Sequence, residues 1–168
     1  MYGQRKQSSG KKDRGKAGFS LIELLIVVAV ILIIAAIAIP NFIKSKMLAH
    51  EAAAIQNSRN ITTAEVVYST TYGIGFSPTL ASLGGSTATV DQNNAGLIDD
   101  VLGSGSKSGY TFSYSILTQD AQGHVTGYAL NADPLTSTTG QRHFYTDQTS
   151  VIRVNLSASA GPSDPAIQ

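Results

Sequence analysis
Apolar and polar positions fall into three regimes along this chain. From residue 19 to residue 39 every side chain is apolar except Ser20 and Glu23, and residues 24–39 are sixteen apolar residues without a break. A helix of 21 residues rises about 31 Å, close to the hydrocarbon thickness of a bilayer, about 30 Å. A helix in a small soluble core would show a polar stripe. This one shows none, so the pattern predicts a membrane-spanning segment. A secretory signal peptide has a shorter apolar stretch, followed by a cleavage site of small residues. Here the run ends in Pro40-Asn41-Phe42-Ile43-Lys44.

The second regime, residues 40–72, has helical period. Leu48, Ala52, Ile55 and Val66 share one apolar stripe; Met47, Ala54, Ile61, Tyr68 and Tyr72 roughly share another. Two stripes suit either a helix that packs on its own chain on one side and on other chains on the other, or a soluble helix with one wide apolar face. Gly73 and Gly75 end it, and Pro40, without an amide proton, predicts a bend.

The third regime has period two. Tyr110, Phe112, Tyr114 and Ile116 alternate with Thr111, Ser113 and Ser115, which predicts a half-buried strand over 110–117. Return strands are expected over 125–132, stopped by Asp133-Pro134, and over 141–147 and 150–156. Between helix and sheet, residues 73–109 are rich in Gly, Ser, Thr and Asn, with short helices expected near 79–83 and 95–101. The tail, 157–168, is expected to be mobile. The fold class is therefore α+β: a long N-terminal, partly transmembrane helix on an antiparallel sheet of about four strands.

Charge orients the apolar segment. Residues 1–18 hold six basic side chains and one acid, a net +5. Such a flank stays cytoplasmic, so the C-terminal portion faces outward. From residue 19 onward there are six basic side chains and ten acids, a net −4, so a nucleic-acid partner is not indicated. The chain has no cysteine, and its head is held without disulfides.

Glu23 is the anomaly. An acidic side chain at mid-bilayer costs about 2.5–3.5 kcal/mol on insertion scales, and an intramembrane acid is by default a functional site that wants a partner. Four features stand in register around it: basic residues leading to Gly18, then Phe19, Glu23 fifth from that Phe, and Pro40 twenty-second. This segment resembles the N-terminus of type IV pilins and pseudopilins, whose signal is the class III type with an N-terminal methylation motif.

The resemblance implies a life history. A prepilin peptidase cleaves after Gly18, removing residues 1–18 as a basic leader, and methylates the new amino group of Phe19. The subunit waits in the inner membrane as a single-pass protein with its C-terminus outside, then passes through an inner-membrane assembly platform into a helical filament of its own copies and other pilins. Residues 19–39 form the filament core. Glu23 then neutralises the buried Phe19 amino group of a neighbour. Such a pair adds little net stability but penalises wrong registers. The alternative is that Glu23 favours only its own helix N-terminus.

Enzymatic chemistry finds no purchase. His50, His124 and His143 lack zinc-ligand spacing, and no G-x-S-x-G is present. No catalytic residue and no cofactor is expected. Asp120, Asp133 and Asp147 fall in sheet-region loops; because major pseudopilins bind calcium near the C-terminus, they are the candidate calcium ligands, although acids in turns ordinarily favour the turn itself. The expected function is a structural subunit of a type IV pilus, in adhesion, motility or DNA uptake, found at the cell surface. The alternative is the major pseudopilin of a type II secretion system, in a periplasmic pseudopilus. A membrane-anchored enzyme or binding protein is the third class, disfavoured because the sequence carries no catalytic motif and by Glu23 in register with Gly18 and Phe19.

Overall fold
The computed structural model describes residues 18–85 and 90–167. The basic stretch before Gly18 lies outside the described residues, as do positions 86–89 of the expected variable segment. The chain divides after Ile39 into an N-terminal unit and a head.

Helix α1 spans Leu21–Tyr72, with Pro40 inside it. Its start is written in Ser20-x-x-Glu23. Ser20 sits at the N-cap, and its amide donates to Glu23 Oε2 at 2.8 Å, the back-bond of a capping box. Its end is written in Gly73, which takes φ +66° and donates its amide to Ser69 O at 3.0 Å. That left-handed position suits glycine.

In the head the two predicted stripes part company. Ala54, Ile61 and Tyr68 are fully buried, whereas Leu48 and Val66 are exposed. The buried stripe meets Leu80, Leu83, Leu102, Tyr110, Phe112 and Phe144, among others, in a single core. After α1 the chain bridges at Gly75 and Phe76 to Val125. A Cβ on Gly75 would collide with the Val125 carbonyl, so only glycine fits this approach.

Two short helices follow. Helix α2, Leu80–Leu83, starts where Thr79 Oγ1 accepts from the Ser82 amide. Helix α3, Asp100–Gly103, corrects the helix expected over 95–101. The Asp99 carboxylate accepts from the Leu102 amide, so Asp99 is an N-cap that begins the helix rather than a residue inside it.

Among the described residues the sheet has five strands in sequential antiparallel order: β1 Ser106–Lys107, β2 Tyr110–Gln119, β3 Val125–Pro134, β4 His143–Asp147 and β5 Arg153–Asn155. The fifth, beyond the four expected, is β1. It folds back on β2 through Ser108 and Gly109, both at positive φ; two residues are too few to show alternation. Strand β3 runs through Asp133 to Pro134, opposite Tyr110, rather than stopping before them. Proline is tolerated at a strand's end, where the missing donor matters least.

The tail is not the loose end expected. Val154 donates its amide to Pro165 O at 3.0 Å, and Ile167 donates to Ile152 O at 2.8 Å. Asp164 accepts from the Gly161 amide and from Asn155 Nδ2. Ala160 is buried against Ala129 and Tyr145 on the second face of the sheet. The tail thus covers the β5 edge and gives a cysteine-free head a clasp of hydrogen bonds.

Candidate functional site
The N-terminal unit presents its signature residues in the open. Gly18 and Phe19 precede the helix, and Phe19 is 80% exposed. No residue in the most apolar eighteen-residue window of α1 is buried. Such a surface needs an apolar surrounding, a bilayer or other helices. Glu23 is exposed too, and its Oε2 is engaged by the Ser20 amide. In the isolated chain the carboxylate therefore serves its own helix start, where a negative charge also meets the positive end of the helix dipole.

The head carries two carboxylates unnoticed from sequence, both buried on α1: Glu51 and Glu65. Glu51 Oε2 accepts from Arg142 Nε at 2.7 Å, and Oε1 accepts from the Gln141 and Arg142 amides at 3.0 and 3.3 Å. Burial acts to raise its pKa, but the Gln141 amide, the Arg142 hydrogen bonds and the guanidinium charge outweigh it and hold the carboxyl below the usual range. Arg142 also lies over the Phe144 ring, 5.6 Å from its centroid. Glu65 has the opposite balance. Burial pushes its carboxyl up, and the hydrogen bonds from Ser77, with a smaller contribution from the nearby Tyr114 hydroxyl, offset only part of that.

A signal for both acids was present. Residues 51, 54, 58, 61, 65 and 68 step by three and four along one helix face, and all six are buried. Glu51 and Glu65 sit on the stripe that Ala54, Ile61 and Tyr68 define. An acid on a core-facing stripe must find hydrogen bonds inside the protein.

The three candidate calcium ligands are not brought together. Asp120 accepts from the Gln122 and His124 amides and meets His124 Nδ1 at 3.0 Å. Asp133 meets His143 Nδ1 at 2.6 Å and accepts from Ser159 Oγ. Asp147 accepts from the Thr149 amide and hydroxyl. Asp120 and Asp147 bond within their own turns, and Asp133 joins β3 to β4 and the tail. Among the described residues no group of three or more His, Cys, Asp or Glu side chains is placed to hold a metal ion.

Similarity to known proteins covers only part of the chain. Residues 13–39 match the family described as the prokaryotic N-terminal methylation motif. A 48-residue stretch, 29% of this chain, is 54% identical to the type IV major pilin protein PilA of Myxococcus xanthus (strain DK1622). That stretch covers 22% of the relative's length, about a fifth, and leaves the rest of both chains unmatched. The motif marks the signal and the apolar helix, and the head behind them is a helix on an antiparallel sheet. Residues 13–39 thus carry the prokaryotic N-terminal methylation motif, and a pilin-like α+β head follows them.

Proposed function
We propose that this chain is a structural subunit of a type IV pilus, cleaved after Gly18, methylated on the amino group of Phe19 and assembled through residues 19–39. One observation carries the reading: Gly18, Phe19 and Glu23 stand in register inside the segment that matches the methylation motif, with Pro40 immediately after it. The partners this reading implies are a prepilin peptidase, an inner-membrane assembly platform and further pilin copies. The subunit resides in the inner membrane before assembly and in a surface filament afterwards. Pro40 is assigned the bend of α1, since it removes a backbone donor there.

Assembly exchanges the setting of Glu23. In the single chain its carboxylate caps its own helix. In the filament the methylated amino group of a neighbour's Phe19 becomes an apolar-surrounded charge that is costly unless paired. Glu23 has a second oxygen to meet it. The exposed stripe of Leu48, Ala52 and Val66 faces neighbouring copies, and the buried stripe keeps the head attached. The pseudopilin alternative shares the same N-terminal chemistry; identity to a major pilin favours the pilus.

Mass spectrometry of protein from the native host tests the processing. The mature chain is expected to begin at Phe19 with one added methyl group, and Gly18→Val to accumulate uncut. A mature N-terminus downstream of Pro40 would overturn the reading. Surface fibres labelled by an antibody to the head would separate the pilus from a periplasmic pseudopilus.

A further inference from the structure
Glu65 is fully buried in the head, and its hydrogen bonds contain a proton count. Glu65 Oε2 accepts from the Ser77 amide at 2.8 Å, and Oε1 lies 2.6 Å from Ser77 Oγ. Ser77 Oγ also lies 3.0 Å from the Thr79 carbonyl oxygen. A serine hydroxyl has one proton and can donate once. If Glu65 is ionised, it is an acceptor only, and Ser77 must choose between Oε1 and Thr79 O. If Glu65 carries a proton on Oε1, both contacts are satisfied: Oε1–H donates to Ser77 Oγ, and the Ser77 hydroxyl donates to Thr79 O.

The surroundings agree with that count. Facing Glu65 are Tyr114 of β2, Tyr128 of β3 and Tyr68 of its own helix. Tyr114 donates its hydroxyl to Ser77 O at 2.9 Å, and its ring stacks on Tyr128 with centroids 5.4 Å apart. None of these groups is a base, and no ion pair to Glu65 forms among the described residues. A buried carboxylate without a cation is strongly disfavoured relative to the neutral acid.

We propose that Glu65 is held as the neutral carboxylic acid in the folded head, and that its proton latches the turn at residues 76–79 onto α1. This turn is a junction. Phe76 donates its amide to Val125 O at 2.8 Å, and Thr79 caps α2. Loss of the proton to water turns the Ser77 hydroxyl to the carboxylate and leaves the Thr79 carbonyl with the Ser82 amide alone. The latch closes on acidification and opens as pH rises. The sign follows from linkage: the folded head binds the proton more tightly than the unfolded chain, so stability is full below the ordinary value of 4.5 and falls as pH climbs through the raised one. The inference concerns the head alone and stands apart from the pilus reading.

The sequence contains three glutamates, Glu23, Glu51 and Glu65, which makes the test direct. The full chain is labelled with glutamate carrying ¹³C at the side-chain carboxyl and studied in detergent micelles. Three carboxyl signals are followed against pH, with Glu23→Gln and Glu65→Gln identifying two of them and the Ser77 amide proton lying closest to the Glu65 carbon. The Glu65 signal is expected to titrate above 4.5 and the Glu51 signal below it. The melting temperature of the head should fall as pH rises through the Glu65 titration. Glu65→Gln, whose amide donates to Ser77 Oγ as the acid does, should lose that dependence. A Glu65 signal titrating at or below 4.5 overturns the latch, and so does an unchanged pH slope in Glu65→Gln. If that variant fails to fold, the wild-type titration alone decides.

Discussion

The two halves of α1 invert the usual expectation. Residues 21–39, the most apolar stretch of the chain, have no buried side chain save half-buried Ala35. Residues 40–72 are far more polar, yet they bury Glu51, Asn57, Ser58, Thr62 and Glu65 beside Ala54, Ile61, Ala64 and Tyr68. Burial within a chain therefore does not follow hydrophobicity alone. The first half is written for surroundings outside its own chain, where all-round apolarity is the requirement. The second half is written for one specific sheet. There a few polar groups, among them the hydrogen-bonded Glu51, Ser58, Thr62 and Glu65, fix which face meets what.

The comparison breaks most completely at Glu23, the one acid of the apolar half. Breaking one member of a buried charge pair costs about 3–5 kcal/mol. Glu23→Gln is thus expected to disfavour each subunit addition by about 10²–10³-fold, at about 1.4 kcal/mol per factor of ten. The bond after Gly18 is untouched, so processed monomer should accumulate in the membrane with few filaments, counted by electron microscopy. Normal filament number would leave Glu23 only the capping role it has in the single chain.

In the head half the largest expected effect is at Tyr68. Its ring is fully buried and its hydroxyl donates to Gln92 O at 2.9 Å. Tyr68→Ala empties the centre of the core, and losses of about 3–5 kcal/mol are usual for large aromatic truncations. Thermal unfolding of the full chain in micelles should show it as a large drop in the head's transition, with the helix of the apolar half retained in circular dichroism. An equal loss of helix in both halves would show that they are not separable in this way.

How much of this was legible depends on range. The apolar run, the two stripes and the alternation of Tyr110, Phe112 and Tyr114 are local periodicities, and the described helix and sheet follow them. The register of Gly18, Phe19, Glu23 and Pro40 is also local. Long-range partners were hidden. Nothing near Glu51 announces Arg142, ninety-one residues on. Nothing in a tail of Ser, Ala, Gly and Pro announces that Pro165 and Ile167 pair with Val154 and Ile152. Ser77 lies in a loop, and only the fold brings it to Glu65. Pattern shows which face is buried; it does not show which polar group waits there.

Glu51 and Arg142 give an intermediate effect. Arg142→Ala removes the ion pair but leaves the two backbone amides on Glu51. The arginine side chain is about one-third exposed, which weakens its hold. The expected loss is about 1–3 kcal/mol, the range for stranding a buried polar group. The pH dependence sharpens the assignment. Glu51 has a depressed pKa when folded, so its contribution is present above 4.5 and is lost as pH falls through the lower folded value. Arg142→Ala should flatten that acid limb in melting curves taken across it, while leaving any decline on the Glu65 side unchanged. Loss of the other limb instead would reassign the two acids.

The smallest effect on the head should come from Leu48, which shares α1 with Glu51 and Tyr68 but belongs to the outward stripe. It is 61% exposed. Exposed substitutions away from special features usually change stability by about 0.5 kcal/mol or less. Leu48→Ser should therefore leave the melting transition of the monomer in micelles where it was. In the filament the same side chain would be covered by a neighbour, and burying a leucine is worth about 1.5–3 kcal/mol. Its removal should then disfavour subunit addition by about 10- to 100-fold, seen as shorter or fewer fibres from cells with normal amounts of processed subunit. The contrast separates the two stripes of one helix by what each contacts. A Leu48→Ser chain that melts early would place this residue in the head's own packing, and one that assembles normally would leave the outward stripe without a partner.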